Sequence, residues 1–575
     1  MAVASHGSAL NRAATALTAA ASLACLIYDP RAPAFDPKAT VALAVAIGAL
    51  GIGGRRLMQR NARASTALLA WVAFVGWAAL SALWARAAGW IELGPWVAAA
   101  ALGIALLGLD EGEARRCATD TAFVVGAVSS LAALGEFASG ARGILVHGGQ
   151  GNGNWLGLML SMTIPLSFHR TKTAFRGDDR LAFALVVLVG VQLAAFLVCE
   201  SRTAWVALAA ATVLAVADRW RRPAIAVAMT TALACVLAVS VAHALGPARA
   251  DGHESMATSV SDAWRGRRWI WGTSLEVAAQ HVPMGTGLGG FGHAFLQAQG
   301  QRLASLTPQA AAHTFENATT AHDDWIQAAA ESGIAGVGLL ALCIGAALLA
   351  TSKARWRSGT AAIVALAVCA LGDSPLRQPA VVVLLGLVLG ATPRGQALGR
   401  ARVAMAAIAI GASAWLLALS TGRWVSDRWQ TEARDAEPLQ QSKLLERAVR
   451  LDSSSGTAWL ALGLAELARG DCDRAVEALE RSSERLANVG THVALGNAWM
   501  TCDSPERAAR AYEAAIHLHP GSFRARANLV EALRMLGKYD EAREQLRAAQ
   551  SIYPGHPKLR EMGDRLQRSA TDAAQ

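Results

Sequence analysis

AHDDWIQAAAESGIAGVGLLALCIGAALLA, residues 321–350, decides the class of this fold. Beyond Asp324 the run holds a single charged side chain, Glu331. A bilayer core about 30 Å thick is crossed by a helix of roughly 20 apolar residues, so this run is long enough to span. Its start carries three titratable side chains in a row, His322, Asp323 and Asp324.

Comparable apolar runs lie on both sides, near 13–29, 38–54, 66–87, 91–109, 119–138, 153–168, 181–199, 203–218, 223–245, 359–373, 378–392 and 403–421. Together with 324–350 they predict a polytopic membrane helix bundle of about 11–13 spans. The runs at 38–54, 359–373 and 378–392 are short, and the last two read equally as two spans or one re-entrant hairpin. Composition agrees: 53% of the 575 residues are hydrophobic and 17% charged, against about 25% charged in soluble domains. The apolar excess stops near residue 420, and from Arg428 the chain turns charged and helical in pattern. The reading is all-α, with a membrane domain over 1–423, including a long loop at 246–322, and a soluble domain over 424–575. The first run ends in SLAC (22–25), which hints at lipoprotein processing, but the many later spans favour an uncleaved first helix.

Lysine and arginine placement gives the orientation. Every second loop is basic: RRLMQRNAR (55–63), HRTKTAFRGDDR (169–180), RWRR (219–222), KARWR (353–357) and PRGQALGRAR (393–402). By the positive-inside rule these loops and the N-terminus are cytoplasmic. The loop 246–322 and the C-terminal domain then lie outside, in the periplasm of a Gram-negative cell. The same pattern accounts for much of the net charge of +10, and no nucleic-acid-binding signature accompanies it.

Residues 456–556 repeat with a period of 33–34: Ala475, Ala508 and Ala542 are equivalent, and Leu462-Gly463 recurs as Leu495-Gly496. Pro520 and Pro554 close two of the repeats. Small residues where paired helices cross, and a proline after the second helix, mark tetratricopeptide repeats, here about 456–488, 489–522 and 523–556. Residues 438–452 read as half of a degenerate earlier repeat, and the segment after 556 as a capping helix. Such an α-solenoid binds a protein or glycan partner or serves as a spacer. The eight cysteines form no CxxC and no Cys/His metal pattern. Six belong to apolar segments as packing residues, while Cys472 and Cys502 occupy inter-helix turns of neighbouring repeats and would be free to pair in an oxidising compartment.

Three outer-side segments carry candidate chemistry. In CESRTAW (199–205), Arg202 is either a snorkelling helix-end arginine or a guanidinium for an anion such as pyrophosphate. In WRGRRWIW (264–271), Arg265, Arg267 and Arg268 precede the glycine-rich HVPMGTGLGGF (281–291), which fits no phosphate-loop pattern. Trp264, Trp269 and Trp271 there are candidate interface anchors. In AHDD, His322 suits proton transfer near neutral pH. A metal site at His322-Asp323-Asp324 lacks a second set of ligands at a useful spacing.

Taken in order, GNGNWLGLMLSMTIPL (151–166), SRTAWVAL (201–208), GRRWIW with HVPMGTGLGGF, and AHDDWIQAAAESGIAGV (321–337) resemble the O-antigen ligase/polymerase family over about residues 120–350. The resemblance implies a GT-C-like, mostly helical membrane glycosyltransferase, independent of metals and cofactors. Its donor would be a glycan on undecaprenyl pyrophosphate, and its acceptor lipid A-core, another glycan or a protein. The family's functional residues match Arg202, Arg267 and His322 as catalytic groups, with Arg265 and Arg268 beside them for the pyrophosphate. Asn152, Asn154, Asp323 and Gln327 are candidate substrate contacts, although Asn152, Asn154 and Gln327 read slightly better as helix-end hydrogen-bonding residues. The family often has Asn where Asp323 stands. Ligase-type transfer is the favoured activity, with polymerase, protein O-oligosaccharyltransferase, and a transporter or a scaffold presenting the repeats as alternatives. The absence of an internal repeat in the membrane part speaks against transport.

Overall fold

A computed structural model describes residues 2–59, 62–87, 89–174, 179–217 and 256–574. The expected span at 223–245 and the first part of the loop, 246–255, lie outside the described residues. The protein is all-α. Among the described residues, the only strand pairing joins Arg63–Ala64 to Gln396–Ala397, antiparallel. The chain divides into two compact units: 1–83, 89–253 and 322–424 form the first, and 84–88, 254–321 and 425–575 the second. Residues 256–321 of the loop thus cluster with the repeats.

Among the described residues, five helices are long and apolar enough to cross a membrane: Phe35–Ile52, Thr66–Trp84, Glu111–Ala138, Asp324–Lys353 and Ala401–Ala433. Shorter apolar helices include Trp90–Leu106, Ala182–Val198, Arg357–Cys369 and Pro379–Gly390. The last has 12 residues, about 18 Å of helix, less than the hydrocarbon core. Every one of its residues is buried, and it packs on Leu93–Leu106, which is also buried throughout. Small residues make that approach possible. A Cβ at Gly386 would stand 2.4 Å from the Ala99 carbonyl oxygen, and one at Gly390 would stand 2.7 Å from that of Gly103. Gly386 and Gly390 form the GxxxG spacing that brings helix backbones close where apolar solvent gives no hydrophobic drive. Lys38, 1% exposed, donates from Nζ to the Cys25 and Ile27 carbonyls at 3.1 and 2.6 Å. It thus satisfies the end of the first helix, Ala2–Leu26.

The helix Asp324–Lys353 breaks at Gly333, whose φ of 62° and ψ of −158° are not helical. The break frees backbone carbonyls, and the Trp77 indole donates to the Ser332 oxygen at 2.7 Å. Such a break inside an apolar helix persists only where neighbours re-satisfy the backbone.

In the second unit, helix pairs run Gly456–Ala468 with Cys472–Arg485, Val489–Thr501 with Pro505–Leu518, and Phe523–Met535 with Tyr539–Ile552. Pro438–Leu451 precedes them and Pro557–Ala574 follows. The recurring small residues sit at the crossings. Ala475, Ala508 and Ala542 are fully buried. A Cβ at Gly463 would meet Leu479, and one at Gly496 would stand 2.4 Å from the Tyr512 ring. Cys472 and Cys502 form a disulfide with Cα atoms 5.8 Å apart, within the span that a disulfide bridges. The free cysteines 25, 117, 199, 343 and 369 are all buried.

The loop helices Phe291–Ala304 and Pro308–Thr314 pack onto the repeats. Leu296 joins Val489, Ala515 and Ala525 in one apolar cluster, flanked by Phe315. Phe315 stacks on His519 with centroids 3.9 Å apart. The contact is backbone-close at two glycines. A Cβ at Gly300 would be 2.5 Å from the His517 oxygen, and one at Gly521 would be 2.1 Å from the Ala312 nitrogen.

Candidate functional site

Sequence places Arg202 and His322 far apart, yet one turn of the first unit, residues 369–377, brings their segments together. The Asp324 amide donates to the Ala370 carbonyl at 2.9 Å, and the Leu376 amide donates to Asp324 Oδ2 at 2.8 Å. On the other side of the turn, Gly372 faces Thr203, so that a Cβ there would lie 3.5 Å from the Thr203 methyl. The starts of the helices Arg202–Ala217 and Asp324–Lys353 therefore flank the same turn.

A third helix start joins them. A Cβ at Gly153 would be 2.6 Å from the Gly143 oxygen and 3.0 Å from the Cys199 oxygen, and one at Gly157 would be 2.5 Å from Ser201 Cβ. The glycines of GNGNWLG are thus the residues that let the CESR turn approach. Helix N-termini carry partial positive charge and favour anions. Arg202 is exposed at this place and forms no ion pair with any described residue.

Two non-glycine residues here adopt left-handed backbone, Glu200 at φ 55° and His322 at φ 51°. Such residues are uncommon and cluster where the surrounding structure enforces them. At His322 the enforcing contacts follow directly. The Asp323 carboxylate accepts the Trp325 and Ile326 amides, both at 2.9 Å, as the helix cap. Asp323 and Asn152 are thereby committed to local structure, since Asn152 Oδ1 accepts the Trp155 amide at 2.8 Å. His322 and Asn154 are half-buried and Gln327 is buried.

Two groups that sequence reading missed hold this region. Arg377 donates to Glu92 Oε2 at 2.5 Å and to Glu331 Oε2 at 2.8 Å, while Trp96 donates to the Leu376 carbonyl at 2.6 Å. The signal for this network was Glu331 itself, a charge inside an apolar run, which requires a partner. In the loop before Gly153, Glu136 Oε2 accepts the His147 and Gly148 amides at 2.7 and 2.9 Å. His147 Nδ1 stands 3.2 Å from the other carboxylate oxygen.

Arg265, Arg267 and Arg268 belong to the second unit, on the helix Met256–Gln280. Arg267 is half-buried, and Arg265 and Arg268 are exposed. Gly266 lies against Glu316, and Trp269 Nε1 donates to Gln299 Oε1 at 3.0 Å. The Arg302 guanidinium covers the Trp269 ring at 4.6 Å. Trp269 thus packs within the unit and remains half-buried. Gly285, Gly287 and Gly289 all have φ near 80°, so the alternating glycines of GTGLGG are conformational requirements of the turn. Among the described residues no group of three or more metal-ligating side chains occurs.

Residues 183–341 match the family described as O-antigen ligase, and residues 442–488 and 503–557 match the tetratricopeptide repeat. A search of curated proteins finds no match. Among solved structures, the chain is similar to MamA at 24% identity, covering 23% of this chain and 77% of that one, with a TM-score of 0.22. YrrB, titled a tetratricopeptide-repeat protein with an unusual peptide-binding site, is 21% identical over 26% of this chain and 86% of its own, at a TM-score of 0.22. The Pseudomonas aeruginosa PilF structure is 16% identical over 30% and 82%, at 0.23. On the two family matches, residues 183–341 form an O-antigen ligase domain, and tetratricopeptide repeats follow it.

Proposed function

We propose that the protein transfers a glycan from undecaprenyl pyrophosphate to an acceptor hydroxyl at the periplasmic face of the inner membrane, as a metal-independent, inverting ligase. The observation that carries this reading is the convergence of three helix starts around Arg202 and the turn that also receives the His322 segment. Transfer from a lipid pyrophosphate needs charge stabilisation on the leaving group and activation of the acceptor oxygen. In this reading Arg202 and Arg267 counter the pyrophosphate charge, supported by Arg265 and Arg268, because cations in a water-poor site act strongly on developing charge. His322 removes the acceptor proton as the hydroxyl attacks the anomeric carbon. The pyrophosphate leaves from the opposite face, which inverts the anomeric configuration. Asn154 and Gln327 contact the sugar or phosphate, and Asn152 and Asp323 contribute mainly by fixing the helix starts.

The Cys472–Cys502 disulfide supports a periplasmic position for the repeats, since such bonds persist in oxidising compartments. With the charge pattern of the loops it supports a cytoplasmic N-terminus. The repeats also keep two sister reactions in view, polymerisation of lipid-linked repeat units and transfer to a protein hydroxyl. The discriminating experiment is glycan profiling of a deletion strain complemented with wild type or with His322→Gly. Glycine removes the imidazole and relaxes the left-handed backbone, so loss of activity reports chemistry and not misfolding. Polymer retained on undecaprenyl pyrophosphate with bare lipid A-core identifies the ligase. Single repeat units on lipid A identify a polymerase, and loss of protein glycans alone identifies an oligosaccharyltransferase. Full transfer by a normally expressed His322→Gly protein would remove His322 from the mechanism.

A further inference from the structure

The second unit holds a cavity of about 270 Å³ where the segment 84–88, the loop helix Phe291–Ala304 and the first two repeats meet. Its titratable lining is entirely basic: Arg86, His293, His492 and His517. No carboxylate lines it. Arg86 forms no ion pair with any described residue, and the buried Nε2 of His293 has no hydrogen-bond partner. Ser483, Asn488 and Gln297 add neutral hydrogen-bonding groups to the same wall.

Such a constellation is costly when empty. Basic side chains converge with no counter-charge, and a buried donor or acceptor without a partner forfeits its hydrogen bond. The local structure responds by keeping the imidazoles neutral. Burial, then Arg86, then His492 bring His293 down to about 4, and burial followed by Arg86 lowers His492. An anion would reverse both effects, since an opposite charge favours the imidazolium. The volume equals that of about nine waters of liquid, more than one oxyanion needs and enough for a sugar ring beside it.

We propose that this cavity binds an anionic substituent carried on a sugar, a phosphate monoester or a carboxylate, between Arg86 and the imidazoles of His293 and His492. The neutral groups on the wall take the sugar hydroxyls. The site is distinct from the residues assigned to glycan transfer and does not rest on that assignment. It makes the loop-and-repeat unit a reader of acidic saccharides.

The test is isothermal titration calorimetry on the full-length protein in detergent micelles, with glucose 1-phosphate, glucuronate, glucose and inorganic phosphate as separate probes. At least one of the two anionic sugars binds, more tightly than glucose and than inorganic phosphate, and which one binds names the substituent. Affinity rises about tenfold or more from pH 8 to pH 5.5, because binding raises the imidazole pKa values and takes up protons. Arg86→Gln weakens binding at least about tenfold at every pH, and His492→Gln flattens the pH dependence. The wild-type pH series keeps the test valid if either variant fails to fold. Equal binding of glucose, no binding of either anionic sugar, tighter binding at pH 8, or unchanged affinity in folded Arg86→Gln each overturns the proposal.

Discussion

Breaking the Cys472–Cys502 bond offers the sharpest quantitative test, because it probes both the repeat packing and the compartment. The bond joins the second helix of one repeat to the turn of the next across a sequence separation of 30. Closing a loop of that length removes about 3.7 kcal/mol of entropy from the unfolded chain in the chain-entropy treatment. The compact unit containing it spans more than 200 residues, and in that size range each kcal/mol moves Tm by about 2–4 °C. Cys472→Ser with Cys502→Ser should therefore lower the melting of the repeats by about 7–15 °C. The assay is thermal unfolding of the full-length protein followed by hydrogen exchange in peptides from 456–552. The double variant and the dithiothreitol-treated wild type should lose the same stability. Alkylation of intact cells before lysis supplies the second readout, with the linked peptide resistant to the reagent. A double variant melting within about 2 °C of wild type would refute the stability argument. Both thiols labelled in intact cells would refute the bond itself.

Three further outcomes follow from close contacts and the buried ion network. Gly386→Val puts a branched side chain against the Ala99 carbonyl, 2.4 Å from its first carbon. It should cost about 2–3 kcal/mol by overpacking, read as a lower Tm in detergent, whereas Gly76→Val, with open space around it, should not. Gly521→Val collides with the backbone at Ala312, so peptides 308–316 should exchange at least about tenfold faster while the helix 539–552 remains protected. Arg377→Met removes the guanidinium paired with Glu331, whose side chain is 4% exposed. Leaving one member of a buried pair costs about 3–5 kcal/mol, and the additional variant Glu331→Gln should recover part of the lost Tm.

Local composition and periodicity determined the broad outline. Apolar runs encode helices that suit a bilayer whatever their neighbours, and the spacing of Ala475, Ala508 and Ala542 encodes paired helices because each crossing needs a small side chain. Charge placement marked Arg202, the cluster Arg265, Arg267 and Arg268, and His322, since a charge beside an apolar run calls for an explanation in any fold, and only the family resemblance singled out Arg267 within the cluster. The partners of those residues were not legible. The Arg377–Glu92 bond joins residues 285 apart, and nothing in either local stretch names the other. Asp323 reads in sequence as a possible substrate contact, and nothing in the local stretch shows that its Oδ1 caps the helix. The run at 378–392 passes for a span by hydropathy alone, while its full burial against Leu93–Leu106 depends on two glycines meeting another backbone. The docking of 291–314 on the repeats is likewise a tertiary choice, because an amphipathic helix encodes that it must be covered but not by what. Sequence by itself determined solvent type and repeat architecture, both properties of short segments. Tertiary structure decided which distant segments share a turn, a cavity or a disulfide, because those depend on shape and contact between surfaces that no single segment contains.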